Sequence, residues 1–260
     1  MLLANKTAIV YGAGDIGGAV ARAFAEEGAR VFVVGRTPAR ASEVAASIRS
    51  KGGSAEAMAV DAFDQEAVDR QAASVVAAAN GIDITFHAID LGDAQGAHVV
   101  DTPMAKLMLP IEAAMKTQVA IARAVTPHMA KRGRGVIMGI TANVARIAIP
   151  NVAGFAIACA ATESLYRQLA VELGPLGIRV VCLRSAGSPD SRGLRAAFDL
   201  RAAESGITRE AFEARVAADI PLRRLPRVAE IASVAKLMAS DNASAVTGAV
   251  VNVTCGSLVD

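Results

Sequence analysis

The sequence lacks several features that nucleic-acid-binding and disulfide-stabilised proteins need. Among 260 residues there is no Trp, and aromatic residues make up only 3%, so the base-stacking surfaces of RNA-binding proteins are not expected. The three cysteines, Cys159, Cys182 and Cys255, follow no disulfide or metal-ligand spacing, and we expect no metal site. With 27 Lys and Arg against 25 Asp and Glu, the formal net charge is +2, which requires neither nucleic acid nor an anionic membrane as partner.

Long apolar runs are also missing. The longest stretch without charge, 147–162, contains Pro150, Asn151 and Gly154 and falls short of the roughly 18 apolar residues that span a bilayer. Residues 1–6 lead directly into a strand pattern, so no signal peptide is expected. Together with the unpaired cysteines, these features predict a cytoplasmic protein without a membrane partner.

Short apolar runs alternate with Ala-rich stretches of helical spacing, and 53% of the residues are hydrophobic. The predicted strands are 7–11, 30–34, 55–60, 82–88, 135–141, 178–183 and 249–253, and the predicted helices are 14–28, 38–50, 64–80, 103–131, 152–173 and 228–239. Apolar strands that alternate with helices indicate βαβ units and a sheet covered on both faces. The predicted fold class is α/β, a Rossmann-type doubly wound parallel seven-stranded sheet in one domain, 1–260.

Two segments of this pattern are less regular. The helix 103–131 contains Pro110 and Pro127, near which we expect irregularity. The segment 188–226 is polar, Arg-rich and locally helical. Its charges are mixed, which favours a mobile cover over the substrate site rather than a basic patch. Within it, Arg192 and Arg195 suggest an anionic substrate, although both could simply be solvated.

A glycine-rich turn follows the first predicted strand. Gly12, Gly14 and Gly17 match G-x-G-x-x-G between a strand and a helix, the context in which this motif binds a dinucleotide. The first glycine makes the turn, the second lets the backbone approach a pyrophosphate, and the third lets helix and strand pack closely. Asp15 and Ile16 lie in the same loop and are predicted cofactor contacts. The alternative is a tight turn without a ligand.

The end of the second predicted strand indicates which dinucleotide is preferred. The carboxylate that would hold a ribose 2′-OH belongs here, but the chain has Gly35 followed by Arg36 and Thr37. A guanidinium without a carboxylate suits a 2′-phosphate. The sequence therefore predicts NADP(H) in preference to NAD(H), unless Arg36 is only a surface arginine.

Four stretches in family order make the chain similar to the short-chain dehydrogenases/reductases. They are 24–31 (FAEEGARV), 124–129 (AVTPHM), 178–181 (IRVV) and 239–248 (ASDNASAVTG). The resemblance implies a Rossmann-type domain and a homodimer or homotetramer assembled through helices 103–131 and 152–173. It also implies that Asp61 lies beside the adenine ring, and further predicted cofactor contacts are Ala62, Ala88 and Gly187.

The chain departs from the family pattern at the catalytic positions. The family uses Asn, Ser, Tyr and Lys, and the aligned positions here hold Ala114, Ala142, Phe155 and Cys159. Phe155 cannot donate a proton, and Cys159 carries no positive charge with which to tune a neighbour. The glycine loop is also one residue shorter than usual, with Asp15 where a glycine is expected.

Three residues are candidates for the roles of the family's absent catalytic residues, and each also has a purely structural interpretation. Thr141 would supply a hydroxyl if the alignment shifts by one residue, or it could simply cap the strand end. Arg184 could bind an anionic substrate or stabilise negative charge, or form a structural ion pair. His87 could donate a proton, although a hydrogen-bonded buried histidine is the simpler interpretation. Cys159 is better explained by apolar packing than as a nucleophile.

The first functional hypothesis is an atypical oxidoreductase that uses NADPH to reduce an activated C=C, C=N or C=O bond of a small molecule. A substrate that needs little help from a proton donor could still accept hydride from the cofactor. The alternative is a non-catalytic NADP(H)-binding protein, either a sensor or an inactive partner. A lyase or isomerase has no positive sign in the sequence.

Overall fold

The structure is a computed structural model that describes residues 1–92 and 95–259. Its strands are β1 (Thr7–Tyr11), β2 (Arg30–Gly35), β3 (Ser54–Ala59), β4 (Ile84–His87), β5 (Gly135–Ala142), β6 (Ile178–Ser185) and β7 (Val250–Val253). Its α-helices are α1 (Asp15–Glu26), α2 (Pro38–Arg49), α3 (Gln65–Ala79), α4 (Met104–Lys131), α5 (Ala153–Leu173), α6 (Arg192–Glu204), α7 (Arg209–Ala217) and α8 (Val228–Ala239).

The strands form one seven-stranded sheet in the order β3-β2-β1-β4-β5-β6-β7. All neighbouring strands are parallel, and the order reverses direction between β1 and β4. In such a sheet the ligand crevice lies beyond the carboxyl ends of the strands at this reversal. The predicted fold class is confirmed.

Alternate residues of each central strand enter different hydrophobic cores. In β1, Val10 joins a core with Phe24 of α1, and Ile9 joins a second core with Ile121 of α4. The two cores cover opposite faces of the sheet, which explains why the central strands are almost wholly apolar. The exception is β3, an edge strand that exposes Glu56 and several of its neighbours.

The long helix α4 is continuous through Pro110 and Pro127, so the predicted irregularity is not observed. Pro110 is buried against α5, where a Cβ on Gly154 would lie 3.0 Å from the proline Cγ and 2.2 Å from the carbonyl oxygen of Leu107. Pro110 therefore lies within the contact between α4 and α5. In the part of the chain that the structure describes, no helix is long and apolar enough to cross a membrane.

The segment 188–226, called the cover below, is locally helical, as the sequence predicted. It contains α6 and α7 and a small hydrophobic core of its own. Phe198 and Phe212 meet edge to face there, with ring centroids 5.2 Å apart. Its buried apolar residues are Phe198, Ala202, Phe212, Ala217, Ile220 and Leu225. The sequence did not indicate this core, because its apolar residues are few and widely spaced in a polar segment.

Candidate functional site

Two adjoining cavities open at the carboxyl edge of the sheet. The first has a volume of about 260 Å³ and lies beyond β1 and β2. The second, of about 500 Å³, lies between β4, β5, α5 and the start of the cover. Gly14 and the residues 88–90 line both cavities. The pair therefore forms one elongated crevice at the reversal of strand order, where this fold binds nucleotides.

The glycine loop between the cavities is shaped by close backbone contacts. Gly12 has φ +106°, and a Cβ there would lie 2.1 Å from the carbonyl oxygen of Ala88. A Cβ on Gly17 would lie 1.8 Å from the carbonyl oxygen of Gly12. Gly14, in contrast, has no heavy atom within 4 Å of an added Cβ. The loop thus has open space at its middle glycine, at the start of α1, which fits the approach of a pyrophosphate.

The first cavity gathers the residues predicted to bind the adenosine half of a cofactor. Arg36, Thr37, Asp61 and Ala62 all lie in its wall. The Asp61 carboxylate accepts a hydrogen bond of 3.1 Å from the backbone N–H of residue 63, which orients it at the end of the third βα turn.

Two further residues of the first cavity were missed from the sequence. Arg40, in the first turn of α2, lines it with Arg36. The Arg36 guanidinium carbon lies 6.0 Å from the centre of the Phe63 ring, within the range of a cation–π contact. Arg40 carried no sequence signal, because Arg36 precedes α2 and the two residues do not share one helix.

The second cavity brings together three of the four positions aligned with the family's catalytic residues. Ala142 from the end of β5 and Phe155 and Cys159 from α5 lie in its wall. Ala114 is fully buried in α4. Gln118, one turn further along α4, reaches the cavity instead. The wall is therefore mostly apolar at these three predicted positions.

Thr141 also lines the second cavity, but its hydroxyl already has a partner. It donates to Oε1 of Glu163 on α5 over 3.1 Å. Glu163 in turn accepts two hydrogen bonds of 2.7 Å from Nε and Nη2 of Arg184. This chain of contacts orients Thr141 at the cavity wall.

Arg184 does not lie where the sequence led us to expect a substrate-binding cation. Its side chain is 2% exposed and makes a bidentate ion pair with Glu163, while Nη1 donates to Asn252 of β7 over 2.8 Å. Such a pair is costly to break, because either partner alone would be a buried uncompensated charge. The geometry favours the structural alternative for Arg184, which links α5, β6 and β7.

His87, at the end of β4, is buried in a hydrogen-bonded group beside the second cavity. Its Nδ1 meets the Gln118 side-chain oxygen and the Tyr166 hydroxyl, the latter over 3.0 Å, and its Nε2 lies 3.1 Å from the Thr85 hydroxyl. Burial lowers the pKa of His87 to about 4. The imidazole is therefore neutral at neutral pH, and it lines the cavity as a hydrogen-bonded group rather than as a cation.

Tyr166, two turns beyond Cys159 on α5, belongs to the same buried group. Its hydroxyl donates to Gln118 over 2.8 Å, and burial raises the pKa of this phenol well above its ordinary value. An added Cβ on Gly139 of β5 would lie 2.3 Å from the hydroxyl oxygen, so a glycine there makes room for the ring. Tyr166 is a core residue of the interior beneath the cavity.

The start of the cover and the residue before it place three residues near the glycine loop. Gly187 and Ser188 line the second cavity, and Arg192 binds Asp15 through its side chain over 2.8 Å. Ser188 was missed from the sequence, since a single serine carries no motif. Among residues 1–92 and 95–259, no group of His, Cys, Asp and Glu could hold a metal ion.

Comparisons with known proteins agree with this fold and crevice. A family model described as Enoyl-(Acyl carrier protein) reductase matches residues 12–257. Dehydrogenase/reductase SDR family member 4 of Bos taurus is 28% identical, covering 98% of this chain and 88% of that protein.

Two solved structures are similar along the whole chain. A 7α-hydroxysteroid dehydrogenase complexed with NADH and 7-oxo glycochenodeoxycholic acid is 30% identical, with a TM-score of 0.84 over 99% of this chain and 96% of that one. L-sorbose reductase from Gluconobacter frateurii, complexed with NADPH and L-sorbose, is 25% identical with a TM-score of 0.91 over 100% of both chains. The chain belongs to the short-chain dehydrogenase/reductase superfamily of NAD(P)-dependent oxidoreductases.

Proposed function

We propose that the protein is an NADP(H)-dependent reductase of an activated double bond, with an active site that lacks the family's Asn, Ser, Tyr and Lys. The observation that carries this proposal is the pairing of two features in one crevice. A nucleotide cavity contains Arg36 and Arg40, and the adjoining cavity contains Ala142, Phe155 and Cys159 at the aligned catalytic positions.

The preference for NADP(H) follows from the charges in the first cavity. Arg36 and Arg40 stand beyond the end of β2, where a carboxylate would be needed to hold a ribose 2′-OH. A guanidinium binds a phosphate through several N–H donors, so these arginines suit the 2′-phosphate. Relatives in this superfamily were solved with NADH and with NADPH, so the choice rests on this chain's own residues.

The type of double bond that the substrate would present follows from the scarcity of proton donors in the second cavity. A nicotinamide cofactor supplies hydride when bound, and this chain would have to orient the acceptor and exclude water. The His87 imidazole is neutral and hydrogen-bonded, and the Thr141 hydroxyl donates to Glu163. An activated C=C, C=N or C=O bond is therefore favoured over an unactivated ketone. The matching family model is named for an enoyl reductase, which favours a conjugated C=C bond.

A non-catalytic NADP(H)-binding protein is the second candidate. It is favoured by the same wall of Ala142, Phe155 and Cys159. These side chains can shape a pocket for a hydride acceptor but offer few groups that could transfer a proton to it. The two candidates share the cofactor site and differ only in turnover.

The first test is calorimetric titration with NADPH and then NADH, followed by a screen for NADPH oxidation. Selective NADPH binding with turnover of enones or iminium ions supports the reductase. Selective binding with no turnover of any activated acceptor supports the non-catalytic candidate. Failure to bind either dinucleotide would overturn both.

We also propose that the protein is a homodimer or homotetramer assembled through α4 and α5. Both helices expose large apolar side chains, including Leu109 at 50% and Val171 at 75%. A cytoplasmic location is proposed as well, because Cys159, Cys182 and Cys255 are free thiols and such thiols persist in a reducing compartment.

A further inference from the structure

An ion pair joins the glycine loop to the cover. Oδ1 of Asp15 accepts from Nε of Arg192 over 2.8 Å, and Oδ2 accepts from the backbone N–H of Arg192 over 2.7 Å. Asp15 is the first residue of α1, and Arg192 is the first residue of α6. The two residues are 177 positions apart in the chain, so this contact exists only when the cover lies over the crevice.

The position of Asp15 presents an electrostatic problem for a dinucleotide. Its carboxylate lies next to Gly14, at the helix N-terminus and in the wall of the second cavity. A helix N-terminus with free N–H groups favours an anion such as a pyrophosphate, whereas a bare carboxylate beside it would repel one. Arg192 resolves the conflict by bringing a positive charge to the same place.

The geometry of Arg192 leaves part of its guanidinium for another acceptor. Asp15 engages Nε and the backbone N–H, and neither terminal nitrogen has a hydrogen-bond partner among the described residues. The side chain is 68% exposed, and its neighbours Ser191 and Gly193 line the second cavity. An arginine held by one edge can present its remaining N–H groups to a phosphate in a defined orientation.

A second residue of the cover independently indicates a ligand here. Ser188 is 3% exposed, lines the second cavity, and has no hydrogen-bond partner for its hydroxyl within the described chain. A buried hydroxyl without a partner is unfavourable. Ser188 lies four residues before Arg192 at the start of the cover, so a ligand between the glycine loop and the cover would contact both.

We propose that Arg192 is a cofactor-binding residue supplied by the cover, which contacts the pyrophosphate of the bound dinucleotide. Asp15 is its positioning residue, and Ser188 donates to the same ligand. This inference rests on the proposed function, because it requires that the chain binds a nicotinamide dinucleotide. It assigns a purpose to the aspartate that replaces the family's glycine.

The proposal predicts that Asp15→Ala weakens dinucleotide binding, whereas simple repulsion by Asp15 predicts that it strengthens binding. If Asp15 only repels the pyrophosphate, Asp15→Ala strengthens dinucleotide binding. If Asp15 positions Arg192, Asp15→Ala weakens binding while Arg192 is present. In the Arg192→Ala background there is nothing left to position, so the same substitution then leaves affinity unchanged or strengthens it.

The test is calorimetric titration of wild type, Arg192→Ala, Asp15→Ala and the double variant with NADPH and with NADH. Arg195→Ala is the matched control, because it removes an exposed arginine from the same helix. Arg192→Ala should raise the dissociation constants of both dinucleotides by the same factor, about tenfold or more, since both carry the pyrophosphate. Thermal unfolding without ligand checks that each variant is folded.

Each possible outcome decides between the proposals. If the wild type binds neither dinucleotide, the proposed function fails and this inference fails with it. If the wild type binds but Arg192→Ala binds equally well, only this inference is overturned. Loss confined to NADPH would assign Arg192 to the 2′-phosphate instead and also overturn it. A stronger affinity for Asp15→Ala in the presence of Arg192 would remove the positioning role of Asp15.

Discussion

At the residue scale, the proposed preference for NADP(H) depends on Arg36. It lies at the carboxyl end of β2 beside Arg40, with its guanidinium over the Phe63 ring. A single hydrogen-bonded arginine–phosphate contact contributes about 1.5–3 kcal/mol. That energy would be available only to a cofactor with a 2′-phosphate.

We therefore expect Arg36→Ala to weaken NADPH binding roughly tenfold to a hundredfold and NADH binding hardly at all. Calorimetry with both cofactors measures the difference directly. Arg70→Ala is a suitable control, because Arg70 is an exposed arginine on α3 that pairs only with Glu66. Equal losses for NADPH and NADH would refute a 2′-phosphate role for Arg36.

His87 illustrates how burial changes a single residue. Its pKa falls from 6.5 to about 4 because burial disfavours the imidazolium ion. Between these values the unfolded chain binds a proton at this position and the folded chain does not, so acid favours unfolding. The full effect of this shift is about 3 kcal/mol.

We expect stability to decrease as the pH falls from about 6.5 to about 4, with His87 as one contributor. Urea unfolding at several pH values would show a steeper decline for wild type than for His87→Gln, which cannot take up the proton. Parallel profiles for the two proteins would mean that the imidazole is not buried as described.

At the scale of elements, two glycines at the junction of the glycine loop and α1 have different roles, one in folding and one in ligand binding. Gly17 makes room for backbone inside the loop, whereas Gly14 faces open space in the crevice. Gly14 has φ −76°, which alanine adopts without strain. The two positions therefore form a matched pair for substitution.

Gly17→Ala should destabilise the protein by roughly 2–3 kcal/mol, since the new methyl group would overlap the carbonyl of Gly12. Gly14→Ala should cost at most about 1 kcal/mol, the difference between glycine and alanine at a helix N-cap. It should nevertheless weaken NADPH binding, because the methyl group enters the crevice. Unfolding curves and calorimetry on both variants distinguish these outcomes, and unchanged NADPH affinity in Gly14→Ala would place the cofactor elsewhere.

At the scale of the whole molecule, the exposed apolar side chains of α4 and α5 predict self-association. Leu109 and Val171 are at least half exposed, and a second copy packed against them would bury this apolar surface. If a second copy covers these helices, light scattering on the wild type should give the mass of a dimer or tetramer. The double substitution Leu109→Glu and Val171→Glu should yield monomers.

The control is Val216→Glu on α7, which is 41% exposed but lies outside the proposed interface. It should leave the assembly intact. A monomeric wild type, or dissociation by the control alone, would contradict assembly through α4 and α5.

The sequence by itself determined the fold class and the nucleotide loop. Apolar strands that alternate with amphipathic helices can bury their surfaces only as a covered parallel sheet. The glycines at 12 and 17 are local requirements of the turn between β1 and α1, whereas Gly14 leaves open space at its middle. Arg36 followed from the same local logic, because the end of β2 faces the crevice wherever such a sheet forms.

Only the tertiary structure decided what the charged and polar residues do. Arg184, which could have bound substrate or formed a structural ion pair, is paired with Glu163, and Asp15 meets Arg192 across 177 residues. Neither partner could be found from periodicity, since an ion pair depends on where distant side chains arrive after folding. The small core of the cover and the unpartnered Ser188 hydroxyl are likewise products of packing. Backbone conformation in a turn depends on residues that are neighbours in the sequence, whereas burial and charge pairing depend on the folded chain.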